Sequence, residues 1–433
     1  MFGKLKIELE DKIRYNRRAR SVLSFINAAL VNTNVWSPQE IARTIEKLCK
    51  AARLAVGIEQ QTAIENEIKV LIKRLNKKNI DWREFEPTAE KRLIESAAVL
   101  KPYLGEKEKG VVYLSFEYQW TRLLQNCDIK EFASQYRLVL APVWAAPYSL
   151  VNFLLPELWE DEVVFTHLSD PNDAAILPRI SSKYVIVPLL CSNWVNPNWF
   201  KPLPFEKKDI DLVMLANFGK YKRHFVLFKA LREMPQNLRI VLIGQRNGNR
   251  TRDVLLNEAK LYGVENRFEL MESPADTAVF DALARSKVSV ILSMREGSCV
   301  AVTESLFADT PVALFKDAEV GSRIFINNKT GVFLEHNNVG TQLTEFINSA
   351  DRYTPRQWAM ENKIHCFESS SILNRVIRDY CKKIGEEWSL DIAAFHWRPF
   401  PAPIFEDDRK RLQQERRRIK EKFGIVIGKE PLE

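Results

Sequence analysis

No apolar run in this 433-residue chain approaches the ~20 residues a membrane-spanning helix needs. The amino terminus, MFGKLKIELEDKIRYNRRAR, lacks an apolar signal core, so a cytoplasmic location is expected. Cysteine is sparse: Cys49, Cys127, Cys191, Cys299, Cys366 and Cys381 include no Cys-x-x-Cys pair. Free thiols in a reducing compartment fit this better than a disulfide framework or a zinc site. His224, His336, His365 and His396 have spacings that suit no metal, and no metal is expected. Glycine is nearly absent from residues 1–105. What remains is ordinary for a soluble globular protein, with 46% hydrophobic and 28% charged residues. The length allows two or three domains.

The net charge of +8 is unevenly placed. Residues 1–24 hold seven Lys/Arg against three acids, and residues 409–422 hold eight against two. Solvated helix faces are the plainer reading of both ends. Peripheral contact with an anionic membrane face is the alternative carried forward. Nucleic-acid binding is not expected, because neither zinc-finger spacing nor an RNA-binding aromatic signature accompanies the charge.

Residues 1–105 read as a helical extension. Ser37-Pro38-Gln39-Glu40 is a capping box with proline at the first helical position. Ile41, Ile45, Leu48, Ala52 and Ala55 follow at helical spacing. From Gly110 the texture changes to short apolar strands at 111–116, 137–142, 162–167 and 184–189, giving a Rossmann-like domain over 106–200. The Asn196-Pro197-Asn198-Trp199 segment reads as a linker. A second strand series follows at 211–218, 238–244, 267–272, 287–293, 311–315 and 331–335. Helices are predicted at 222–234, 252–262 and 277–284 between those strands, making a second domain over 205–385. Residues 386–433 form a terminal segment with a basic tail. The fold class predicted is therefore α/β, two Rossmann-like domains with ligands held in a cleft at the carboxyl ends of the sheets.

The segment REGSCVAVTESLFADTPVAL carries the chemistry. It reads as a buried strand (288–292), a tight loop over Glu296, Gly297 and Ser298, then a helix from about Cys299 to Ala308. Such a turn aims backbone N–H groups at whatever lies before the helix, which suits an anion. Glu296 and Glu304, with seven residues between them, can lie on one side of that helix.

This segment resembles the Glu-x7-Glu motif of the family 4 glycosyltransferases, which have the GT-B fold. Further likeness lies in Asn193-Trp194-Val195-Asn196 with Phe200, in LANFGKYKRHFVLFKAL, in LRIVLIGQ, and in residues 361–380. It covers roughly residues 190–385. The resemblance implies a nucleotide-sugar donor, no metal, and transfer with retention of configuration. It places Glu296 on the donor sugar, Glu304 on the ribose and Lys222 on the diphosphate. Gly219, Arg223, Gly297, Ser298, Cys299 and Val300 then line the donor, the last three through backbone N–H groups. The family arginine is replaced by Asn217, so either Lys220 or Arg223 compensates or activity is impaired. His167, closing the strand EVVFTH, matches a family histidine that faces the donor sugar; a structural histidine is the competing reading.

The family's glycine-rich acceptor loop is missing after the first strand, so the acceptor is open, a carbohydrate or a lipid-linked molecule. Trp120, Trp144 and Tyr148 follow strand ends, where they stack on a sugar or simply pack the core. Asp170 and Asp173 read as a turn and helix cap. Glycosyl transfer is the primary expectation. The alternative is a catalytically impaired sugar-nucleotide-binding scaffold, supported by Asn217 and the missing loop. An epimerase on the same fold is disfavoured by too few acid–base groups in the first domain.

Overall fold

The computed structural model describes residues 2–75, 80–142, 147–159, 162–398 and 400–429. Two compact units result: Met1–Asp11 with Ser192–Glu368, and Lys12–Cys191 with Ser369–Glu433.

The second of these contains helices α2 (Arg17–Ala29), α3 (Pro38–Leu54) and α4 (Ile58–Arg74). Its sheet has the order β1 (Ala97–Lys101), β2 (Gly110–Ser115), β3 (Tyr136–Ala141), β4 (Val164–Leu168) and β5 (Tyr184–Leu190). The β1–β2 pair is antiparallel and the rest are parallel. Residues 1–105 are thus not helical throughout. Strand β1 is a short buried run that a helical reading absorbs, because periodicity cannot separate five apolar residues from one face of a helix. Ser37 caps α3 as predicted, accepting from the Glu40 backbone N–H. Glu65 of α4 is buried yet satisfied: it accepts from the Tyr148 hydroxyl at 2.6 Å and from Arg179 at 2.8 and 3.0 Å. A buried carboxylate persists only with such partners.

The basic tail is also less solvated than expected. Helix Glu406–Phe423 buries Leu412, Glu415, Arg416, Ile419 and Phe423. Arg416 donates to the Ile427 carbonyl at 2.7 Å, and Arg418 to Tyr136 Oη at 2.6 Å. Part of the positive charge is therefore internal scaffolding. After β4, Asp173 accepts from the Ser169 and Asp170 backbone N–H groups, both at 3.0 Å, which is the turn-and-cap role predicted for it.

The other unit holds a wholly parallel sheet in the order β11-β10-β9-β6-β7-β8. These strands are β6 (Ile210–Leu215), β7 (Ile240–Gly244), β8 (Glu269–Glu272), β9 (Ser286–Ile291), β10 (Val312–Phe315) and β11 (Gly331–Leu334). All six strands of the predicted series are present. The order reverses between β6 and β9, which pair in register Val288 to Leu212. That reversal opens a crevice at the carboxyl ends of the two strands, where open α/β sheets take their ligands.

One feature of this unit is absent from the predicted domain: helix α1 (Phe2–Tyr15) supplies its first residues to it. They run along helices α5 (His224–Leu231) and α6 (Arg252–Tyr262). Lys4 sits 5.3 Å from the Tyr262 ring centroid, Glu8 pairs with Lys229 at 3.6 Å, and Glu10 with Lys220 at 3.0 Å. Asp11 closes the series with a two-oxygen grip on Arg223, at 2.9 and 2.8 Å. Because this last pair is nearly dry, it is the strongest of them, whereas exposed pairs contribute little.

Two outcomes test this packing. Burial raises the Asp173 carboxyl to about 7, helped by the nearby Asp170 and Glu117 charges. The native state then holds its proton more tightly than the unfolded chain, so stability falls as pH rises from about 4 to about 7. Asp173→Asn should match the wild type in urea unfolding at pH 4 and exceed it increasingly toward pH 7; a constant difference would contradict this. Asp11→Asn leaves the Arg223 guanidinium buried without its counter-charge. It should cost about 3 kcal/mol in the same measurement, against under about 0.5 kcal/mol for the exposed Glu10→Gln.

Candidate functional site

Strand β9 is apolar and buried through Val288 and Val290, and it delivers the chain to the switch point. The loop beyond it is held in place by neighbouring backbone. Glu296 N–H donates to Glu319 O at 2.9 Å, Gly321 N–H to Gly297 O at 2.8 Å, and Ser322 N–H to Ser298 O at 3.2 Å. Cys299 then takes a left-handed conformation (φ 51°) and starts helix α7 (Val300–Phe307). Strand, loop and helix fall where the sequence placed them. No side chain caps the first turn of α7, which leaves the positive end of its dipole without a side-chain partner. The helix is fixed to β9 by Ser305, whose hydroxyl donates to Ser289 Oγ at 3.0 Å.

Glu296 and Lys222 meet here, at 2.5 Å between Oε2 and Nζ, with about a tenth of each side chain exposed. Burial alone would lower the Lys222 ammonium, but the Glu296 carboxylate outweighs it and holds the lysine above its ordinary value. The other carboxylate oxygen, Glu296 Oε1, is buried and has no hydrogen-bond partner. A buried acceptor without a donor is costly, by about 1–3 kcal/mol, and marks a place where a donor fits. Glu304, one turn into α7, is 2% exposed.

Lys222 ends a short turn, Lys220–Lys222, rather than opening a helix; α5 begins only at His224 after Arg223 adopts φ 57°. Asn217 organises this turn. Its carbonyl accepts from Gly219 N–H at 2.9 Å and its amide donates to Tyr221 Oη at 2.7 Å. Gly219 has no room for a side chain, since a Cβ would lie 2.5 Å from the Tyr221 ring. The two cations expected to offset Asn217 are engaged elsewhere: Lys220 with Glu10, and Arg223 with Asp11 and the Leu292 carbonyl at 3.1 Å. Sequence reading missed Glu10 and Asp11, which lie more than 200 residues from their partners with no motif to connect them.

The remaining predicted residues divide by unit. Ser298 uses its hydroxyl internally, accepting from Ser192 N–H at 2.8 Å and donating to Ser192 Oγ at 2.9 Å. The Cys299 thiol is pushed up by burial and then by Glu296, so it stays protonated and is no nucleophile. Gly297 lies in the loop two residues before it, and Val300 opens α7. His167 belongs to the other unit, is wholly buried beside Tyr113, and is lowered to about 3 by that burial. It is neutral at physiological pH, and its full burial favours the structural reading. Trp120 and Tyr148 are core residues, bonded to Leu114 O and Glu65 respectively. Trp144 lies outside the described residues. Among the described residues no group of three or more His, Cys, Asp or Glu is placed to hold a metal ion.

Comparison with known proteins bears on the same segment. Residues 195–351 match the family described as Glycosyl transferases group 1. No curated protein matches the chain in sequence. Among solved structures, Anabaena HepE, crystallised with UDP and glucose, is 12% identical with a TM-score of 0.49, covering 80% of this chain and 97% of that one. Sucrose-phosphate synthase from Thermosynechococcus elongatus is 13% identical at 0.48, covering 76% and 82%. TarM, from S. aureus, is 12% identical at 0.48, covering 62% of this chain; the chain spans about half of TarM's length, 54%. Likeness at this level leaves fold and chemistry to be argued from the chain itself. The family match falls on the unit that holds Lys222, Glu296 and Glu304, and it spans residues 195–351 of the chain.

Proposed function

We propose that this domain binds a nucleotide-diphosphate sugar and passes its sugar to an acceptor, with retention of configuration. The observation that carries the reading is the buried, unpartnered Glu296 Oε1 beside Lys222 Nζ, at the uncapped end of α7. A sugar hydroxyl supplies the donor that this oxygen lacks. The diphosphate draws on the Lys222 charge and the α7 N–H groups, which act most strongly as negative charge builds on the leaving group. Glu304 is assigned to the ribose hydroxyls. The leaving phosphate is assigned the base role, since the Glu296 carboxylate is already engaged with Lys222.

A second reading has its own support. Lys220 and Arg223 are engaged by Glu10 and Asp11, and Asn217 brings no charge, so Lys222 is left without their help at the diphosphate. A sugar-nucleotide-binding scaffold that turns over slowly or not at all would look like this. The two readings part on turnover alone. The donor is to be found by thermal shift with uridine, guanosine, adenosine and thymidine diphosphate sugars, because a ligand of the folded state raises its melting temperature. With that donor, Glu296→Gln should keep the fold and lose about 100-fold or more in transfer and donor hydrolysis, while Lys222→Gln weakens donor binding by about ten-fold. Tight binding without turnover across acceptors favours the scaffold; unchanged transfer by Glu296→Gln rules out the proposed role.

A further inference from the structure

Helix α2 is inside out. Its two buried residues, Arg20 and Ser24, are polar, and Ser24 Oγ donates to the Ala51 carbonyl of α3 at 2.8 Å. The opposite face is apolar and open to solvent. Val22 is 57% exposed, Phe25 69% and Leu30 79%, with Leu23 and Ile26 beside them. Spacings of three, four and eight residues put Val22, Phe25, Ile26 and Leu30 on one stripe. A helix packed on a protein normally turns such a stripe inward. Ile13 before it and Trp36 after it are exposed as well. A run of large apolar side chains facing water marks a surface that something covers.

Charge identifies the cover. Between Asp11 and Glu40 the chain has no acidic residue, while Lys12, Arg14, Arg17 and Arg18 are all exposed. Two copies meeting through this face would bring eight cations together, which opposes self-association. An anionic lipid surface satisfies both features: the apolar stripe enters the acyl boundary, and the long basic side chains reach the headgroups. Among the described residues no helix is long and apolar enough to cross a membrane. We propose that residues 12–36 dock the protein on the surface of an anionic lipid bilayer. This holds whichever reading of the sugar-nucleotide site is right.

The test is flotation of the full chain with vesicles of phosphatidylcholine alone or with about a third phosphatidylglycerol. Wild type should float with the anionic vesicles and be released as salt rises. Phe25→Ser with Leu30→Ser, and separately Arg17→Gln with Arg18→Gln, should each reduce binding about ten-fold or more, with the urea midpoint unchanged because all four side chains are exposed. Failure of wild type to float with either vesicle would overturn the proposal. So would equal flotation of wild type and both variants, which would locate the contact elsewhere. A dimer in sedimentation that Phe25→Ser with Leu30→Ser dissolves, without any vesicle binding, would show that a second copy covers the face instead.

Discussion

A single ion pair at the sheet's point of reversal organises the unit with the wholly parallel sheet. Lys222 arrives from the turn after β6 and Glu296 from the loop after β9, and their contact joins the two sides of the crevice. Each residue solves the other's problem. Without Glu296 the lysine would sit nearly buried beside the positive end of α7, where cations are disfavoured. Without Lys222 the carboxylate would be nearly buried without its counter-charge. One oxygen stays open in the pair as it stands, and the proposed chemistry starts from that vacancy for a donor.

Around this pair the domain keeps positive charge while restricting its use. The Asn217 side chain shapes the turn that carries Lys222, a role in which an arginine at that position would not have fitted the same two partners. The acids of α1 then neutralise the remaining cations, Arg223 almost out of water and Lys220 at the surface. The amino terminus is therefore an integral part of the domain's electrostatics, although the chain places it two hundred residues earlier.

How much of this could be read from the residues follows from the range of each interaction. The β9–loop–α7 segment was legible because its cause is local: an apolar run, a glycine, then a helical run. The parallel strands were legible for the same reason. Lys222 was expected near the site through likeness to the family 4 glycosyltransferases, but not its partner, since nothing in a sequence pairs residues 74 positions apart. Strand β1 was lost inside a helical region because five buried apolar residues carry no period of their own. The Asp11–Arg223 contact, the buried Arg416 and the outward apolar face of α2 all depend on tertiary packing, and composition gave charge without saying which charges face water.

The central claim is that a nucleoside diphosphate is gripped at the α7 terminus by Lys222 and backbone N–H groups. Hydrogen exchange of the backbone amides, followed with and without uridine, guanosine, adenosine or thymidine diphosphate, tests it most directly. One of these should slow exchange at residues 297–303 together with 219–223, leaving the helical region 38–74 unchanged. If none of the four protects 297–303, or protection appears only elsewhere, the account of the site is wrong.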